Sequence, residues 1–117
     1  MNQQDKLNLL ELAALAGGIQ FRGYDLWYED FSAYDPETDC NYQWNPYDND
    51  GDAFRLAMKI DMNLFSINGI AYAMESEHGG PDGPDEQQVH HRNDPCAAMR
   101  LAVVKVAAEI GKVMKVD

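Results

Sequence analysis

Residues 63–74 read NLFSINGIAYAM, two short apolar runs on either side of Asn68-Gly69. Asn-Gly suits a type I′ turn, in which both central residues take positive φ. With an apolar run on each flank it is the strongest short-range signal for a β-hairpin. An antiparallel pair is therefore expected at the centre of the chain, and the fold class depends on what surrounds it.

Immediately upstream, DAFRLAMKIDM (residues 52–62) has helical spacing. Ala53, Leu56, Ala57 and Ile60 share one face, Phe54 and Met58 widen it, and Arg55 and Lys59 turn to water. Further back, DKLNLLELAALA (5–16) is a second amphipathic stretch, stopped by Gly17-Gly18 because glycine takes the left-handed C-terminal conformation at low cost. IQFRGYDLWYED (19–30) alternates at period two, with a phase shift at Gly23 that predicts a bulge. It reads as one strand. Residues 30–50 read as a long polar loop with aromatic anchors, and part of 40–44 is expected to pair as a short strand.

Downstream, residues 76–88 (SEHGGPDGPDEQQ) are glycine, proline and acid, and are expected to form a mobile loop. Val89-His90-His91 predicts a brief strand. Asp94-Pro95 opens the last helix: Asp accepts backbone N–H bonds at the N-cap, and Pro fits the first helical position. Met99, Val103, Val106, Ile110 and Val113 make its apolar stripe, while Ala97, Ala98, Ala102, Ala107 and Ala108 permit close approach to a sheet. Helices separated by antiparallel strands point to an α+β layered fold.

The chain has 117 residues, 45% of them hydrophobic, enough for one domain (1–117) with a real core. The N-terminus lacks a basic-then-apolar leader, and no apolar run is long enough to span a bilayer. Cys40 and Cys96 then read as free thiols in a reducing cytosol.

Nine basic residues oppose twenty acidic ones, a net charge of −11. Residues 25–52 hold nine carboxylates (Asp25, Glu29, Asp30, Asp35, Glu37, Asp39, Asp48, Asp50, Asp52) and no Lys or Arg. That field disfavours nucleic acid and anionic membranes and would attract a basic protein surface.

Within this region WNPYDNDGD (44–52) resembles a calcium loop but fails as one. A frame starting at Asp48 puts Ala53 where glycine is needed and Lys59 where the bidentate acid belongs; a frame with Gly51 as the glycine starts on Pro46. Its acids fit better as the start of a helix, with Asn49 or Asp50 at the N-cap and Asp52 in the first turn. His78, His90, His91, Cys96 and Asp94 lack zinc-ligand spacing, and adjacent histidines on a strand point to opposite faces. Cys96 at the second position of the last helix, with a nearby His, is a weak signal for a nucleophile. No Gly-rich phosphate loop is present. No metal or cofactor is expected.

The blocks WNPYDNDGDAFRLAMKI and DPCAAMRLAVVKVAAEIGKVM together resemble the NinX-like family of small accessory proteins from temperate phages. The resemblance covers roughly residues 40–115 and rests on Trp44, Asn45, Pro46, Asp50, Asp52, Ala53, Arg55 and Leu56. In the last helix it rests on Asp94, Pro95, Ala98, Arg100, Ala107, Ala108, Glu109, Ile110 and Gly111. It implies a phage or prophage origin, the host cytoplasm as location, and a small, mainly antiparallel sheet with helices on both faces, an α/β/α sandwich. It implies no catalytic residues.

Trp27, Tyr28, Tyr34, Tyr42 and Trp44, with Asp48 and Asp50, are the candidate partner-binding set, since Tyr and Trp are enriched at interface hot spots. The expected function is non-enzymatic: binding of a basic host protein, such as a defence or nucleic-acid-binding factor, with homo-oligomers compatible. The alternative is a small-ligand or nucleotide pocket, with Trp44 stacking a base and Arg22, Arg55, Arg92 and Arg100 meeting phosphates. For Trp44 itself, a lid over the core is the favoured role.

Overall fold

The computed structural model describes residues 1–75 and 86–115. The Asn68-Gly69 turn is formed as its chemistry requires, with φ of 52° and 74°. It joins β4 (Met62–Ile67) to β5 (Ile70–Glu75) in antiparallel register, Ile67 opposite Ile70. Preceding it are α1 (Gln3–Gly17), β1 (Gln20–Asp25), β2 (Asp30–Asp35), β3 (Cys40–Gln43) and α2 (Asp50–Ile60); β6 (Glu86–His90) and α3 (Pro95–Lys115) follow. The fold is α+β with antiparallel strands throughout. The strands divide into two three-stranded sheets, β1-β2-β3 and β4-β5-β6, where a single small sheet is expected from the sequence.

The first sheet is where local pattern and structure part. Residues 19–30 are not one strand. β1 ends at Asp25, Leu26–Glu29 turn the chain, and β2 returns along it. The two turns of this meander share one chemistry. Asp25 Oδ1 accepts the Trp27 N–H (2.8 Å) and Asp35 Oδ1 accepts the Glu37 N–H (2.9 Å). Each turn then closes on an acidic residue in the left-handed region, Glu29 (φ 53°) and Asp39 (φ 54°). An Asp side chain that mimics a backbone turn does the work usually sought in glycine or asparagine. The predicted bulge is present: Gly23 has φ 79°, and the register shifts between Phe21 and Gly23.

Helix ends follow side-chain chemistry. Asn2 caps α1 and Gly18 (φ 65°) ends it; Asn49 caps α2, accepting the Asp52 N–H; Asp94 Oδ1 accepts the Ala97 N–H at the start of α3 (3.0 Å). α3 lies along α1 and against β5 and β6, while α1 also meets β1, so the helices connect the two sheets. Its buried residues (Ala98, Ala102, Val103, Val104, Val106, Ala107, Ala108, Gly111) surround most of the helix. Gly111 marks the closest approach to α1. A Cβ on Gly111 would lie 1.9 Å from the Leu12 carbonyl oxygen, so only glycine fits there.

One core runs through Leu10, Phe31, Trp44, Leu56, Met62, Ala73 and Val103–Val104. Both sheets share this core, the first through Phe31 and Ala33 and the second through Met62 and Ala73. Phe54 and Met58, read as part of the buried face of α2, are 58% and 48% exposed, and Val113 at the end of α3 is exposed as well. The acidic Gly/Pro segment lies outside the described residues over 76–85. Its last part, Glu86–Gln88, belongs to β6 and is paired with β5. Among the described residues no helix is long and apolar enough to cross a membrane.

Candidate functional site

Asn45 organises the segment that joins β3 to α2. It is 3% exposed, and its amide Nδ2 donates to Asp30 Oδ1 (2.7 Å) and Asp48 Oδ2 (3.0 Å). Its Oδ1 accepts the N–H groups of Tyr47 and Asp48, and its own N–H donates to Asp52 Oδ2 (2.9 Å). Asp30 in turn accepts from Gln43 Nε2 (2.7 Å), and Asp52 Oδ1 from Arg55 Nη2 (2.7 Å). Three carboxylates thus converge on one neutral residue, two on its side-chain amide and one on its backbone N–H. Asparagine suits this position because a single side chain supplies both donors and an acceptor.

Arg100 ties the same loop to α3. Nε donates to the Tyr47 carbonyl (2.8 Å) and Nη1 to Asp50 Oδ1 (2.6 Å). Asn45, Asp50, Asp52, Arg55 and Arg100 therefore hold this loop in place. No group of three or more His, Cys, Asp or Glu side chains among the described residues has the geometry to hold a metal ion.

The predicted partner-binding set separates. Trp44 is 4% exposed and packs edge-on against Phe21 (centroids 5.8 Å apart), so it is a core residue and presents no face to a partner or a base. Asp48 and Asp50 are exposed, but Asp48 is bonded to Asn45 and Asp50 to Arg100. Tyr28 is half-buried and donates to the Asn41 carbonyl (3.0 Å). Tyr34 lies under the Arg22 guanidinium, and its hydroxyl donates to Asp39 Oδ1 (2.5 Å). That carboxylate holds the Tyr34 phenol above its usual value, with desolvation adding to the shift. Burial raises Tyr42 as well, and the nearby charges of Asp35 and Asp52 push the same way.

Trp27 stands alone as a large exposed aromatic at a turn tip. It is 87% exposed, next to Leu26 at 85%. The Asp25 side chain fixes the turn that displays them, and Glu29 closes it. Leu26 belongs with Trp27 in any binding set. The sequence placed it at an alternating strand position, and only recognition of the Asp25 turn would have moved it to the tip.

The ligand-binding alternative also changes. A cavity of about 390 Å³ opens between the loop, the end of β6 and the start of α3, lined by Tyr47, Asp48, His90, His91, Arg92 and Arg100, among others. Arg22 and Arg55 do not line it: Arg22 covers Tyr34 and Arg55 pairs with Asp52. Its aromatic is Tyr47 instead of Trp44. His91 Nε2 lies 2.7 Å from Ser66 Oγ. Cys96, exposed as a free thiol, lines a different cleft that holds no histidine. Cys40, exposed too, lies on β3. No family model matches the chain, and no curated protein or solved structure matches it.

Proposed function

We propose that the chain is a non-enzymatic accessory protein of a phage or prophage, and that it binds a basic host protein in the host cytoplasm. The β1–β2 turn would be the contact. The observation that carries this reading is the pair Leu26 and Trp27, both more than four-fifths exposed on a turn that the Asp25 side chain closes. An apolar anchor held in its binding shape loses little conformational entropy when it docks. Carboxylates at Asp25 and Glu29 flank it, and the whole 25–52 segment lacks a cation. Such a surface steers a basic partner toward the anchor, and a nucleic-acid-binding or defence factor of the host has the complementary charge. The resemblance to small temperate-phage proteins supports the biological setting.

Affinity capture from host lysate tests the proposal. A basic protein should be retained at low salt and released as ionic strength rises. Trp27→Ala should abolish capture while leaving the melting temperature unchanged. Equal capture by wild type and Trp27→Ala, or no capture at low salt, overturns it.

A second reading rests on the cavity beside α3. Arg92, His90, His91 and Tyr47 around about 390 Å³ suit a small ligand such as a nucleotide, with Arg92 as the cation not already paired to a carboxylate among the described residues. A small molecule seen by native mass spectrometry to leave on Arg92→Ala substitution would favour this reading.

A further inference from the structure

The second sheet is built inside out with respect to side-chain size. β5 directs Ala71 and Ala73, both fully buried, toward the helices. The larger Ile70, Tyr72 and Met74 therefore lie on the opposite face, because side chains alternate along a strand. β4 adds Phe65 (46% exposed) and Ile67 (53% exposed) to that outer face, and Phe65 stacks on Tyr72 with centroids 4.6 Å apart. Small residues inside allow α3 to approach closely. The consequence is an outer face that is apolar over Phe65, Ile67, Ile70, Tyr72 and Met74 and polar along β6.

β4 is also an end strand of its sheet, and among the described residues no backbone hydrogen bond reaches its outer side. The pairing phase identifies the open groups. His91 N–H donates to the Gly69 carbonyl (2.8 Å), which turns Gly69, Ala71 and Ala73 toward β6. Ile70, Tyr72 and Met74 then bond to β4 through Ile67, Phe65 and Asn63. Leu64 and Ser66 are left to aim their N–H and C=O groups outward. Beneath this edge lies an apolar groove of about 280 Å³, lined by Phe54, Leu64, Cys96, Met99 and Val103 with Asp50 and Arg100 at its rim.

Native proteins usually blunt such an edge with lysine, proline or a bulge. β4 has none of these. From Met62 to Met74 there is no Asp, Glu, Lys or Arg, in a chain that is 25% charged. The occupant must therefore be a strand, to satisfy the backbone. It must be uncharged along its length, since no charge on this edge would pair with one, and it must carry apolar side chains on both faces. β4 itself meets all three conditions.

We propose that two copies of the chain dimerise through antiparallel β4–β4 pairing about a two-fold axis perpendicular to the sheet. A six-stranded sheet results, with the helices of both copies on one side. Each copy's Leu64 lies over the groove of the other, and the Phe65 and Ile67 side chains of both copies form a continuous outer face. An isologous contact of this kind closes on itself and leaves no free β4 edge. It uses none of the β1–β2 turn, so the dimer would display two Leu26–Trp27 tips.

Sedimentation velocity across about 1 to 100 µM tests the dimer. The wild-type chain should sediment as a dimer at the upper end and remain so in high salt, because screening weakens repulsion between two copies of charge −11. Phe65→Lys and, separately, Ile67→Lys should each weaken dimerisation at least about tenfold. Both side chains are about half exposed, so the melting temperature of the dilute monomer should stay near wild type. Trp27→Ala should leave the dimer intact, which separates this inference from the host-binding reading. A wild-type monomer at the highest concentration, pairing of β4 only with a strand from another protein, or a dimer unchanged by both lysine variants overturns the proposal.

Discussion

The two tryptophans of the acidic region have opposite environments. Trp44 follows β3 in a loop where Asn45, Asp30, Asp48 and Asp52 satisfy one another, and it is buried against Phe21. Trp27 sits on a turn held by a single Asp25 bond and is 87% exposed. Both are flanked by acids. The difference is what the acids do: around Trp44 they bond inward and close the loop over the core, and beside Trp27 the turn points away from it. A carboxylate-rich segment therefore contains a structural end and a displayed end.

The sharpest way to break this contrast is to truncate both rings. Trp44→Ala should destabilise the fold by about 3–5 kcal/mol, as expected for loss of a buried aromatic. Trp27→Ala should change stability by no more than about 0.5 kcal/mol. Chemical denaturation of the two variants measures both, and equal losses would erase the distinction.

The loop itself gives the next effect in size. Asn45→Ala removes two donors and an acceptor from a buried network and should cost about 2–3 kcal/mol. Asn45→Asp keeps the shape but removes both side-chain donors and sets a fourth carboxylate against Asp30, Asp48 and Asp52. It should be worse than alanine at neutral pH and recover part of the loss in acid, where carboxylates protonate. An aspartate variant as stable as wild type would mean that the network is not held by the amide.

The smallest effect lies at alkaline pH. Tyr42 has its phenol raised on folding, chiefly by burial. A group with a raised folded pKa contributes stability that is fully present below its unfolded value, about 10 for tyrosine, and is lost as pH rises through the folded value. Tyr42→Phe should therefore flatten the decline in melting temperature above about pH 10 and leave neutral behaviour nearly unchanged.

Much of the fold could be read from local chemistry. Asn68-Gly69, Gly18, Asn49 and Asp94-Pro95 each specify a turn or a cap through conformations or hydrogen bonds that depend on neighbours a few residues away. The bulge at Gly23 belongs to the same class. The β1–β2 turn escapes a local reading because Leu26 and Tyr28 continue the alternation that passes through Tyr24 and no glycine marks the reversal. Its left-handed position is occupied by Glu29, and the signal lies in Asp25 instead. Phe54 and Met58 fit the apolar arc of α2, yet α3 and β4 stop short of covering them, and helical spacing carries no information about where a neighbour ends.

The candidate sites divide the same way. The charge asymmetry, the failed calcium pattern and the acids that start α2 are properties of composition and of short spacing, and the sequence determined them alone. Which tryptophan is covered was decided by tertiary structure, through contacts between Trp44 and Phe21 and between Asn45 and Asp30. So was the division into two sheets, and with it the edge of β4 that no other described strand pairs. Burial and strand pairing join residues far apart in the chain, and local pattern is the same whether or not the distant partner arrives.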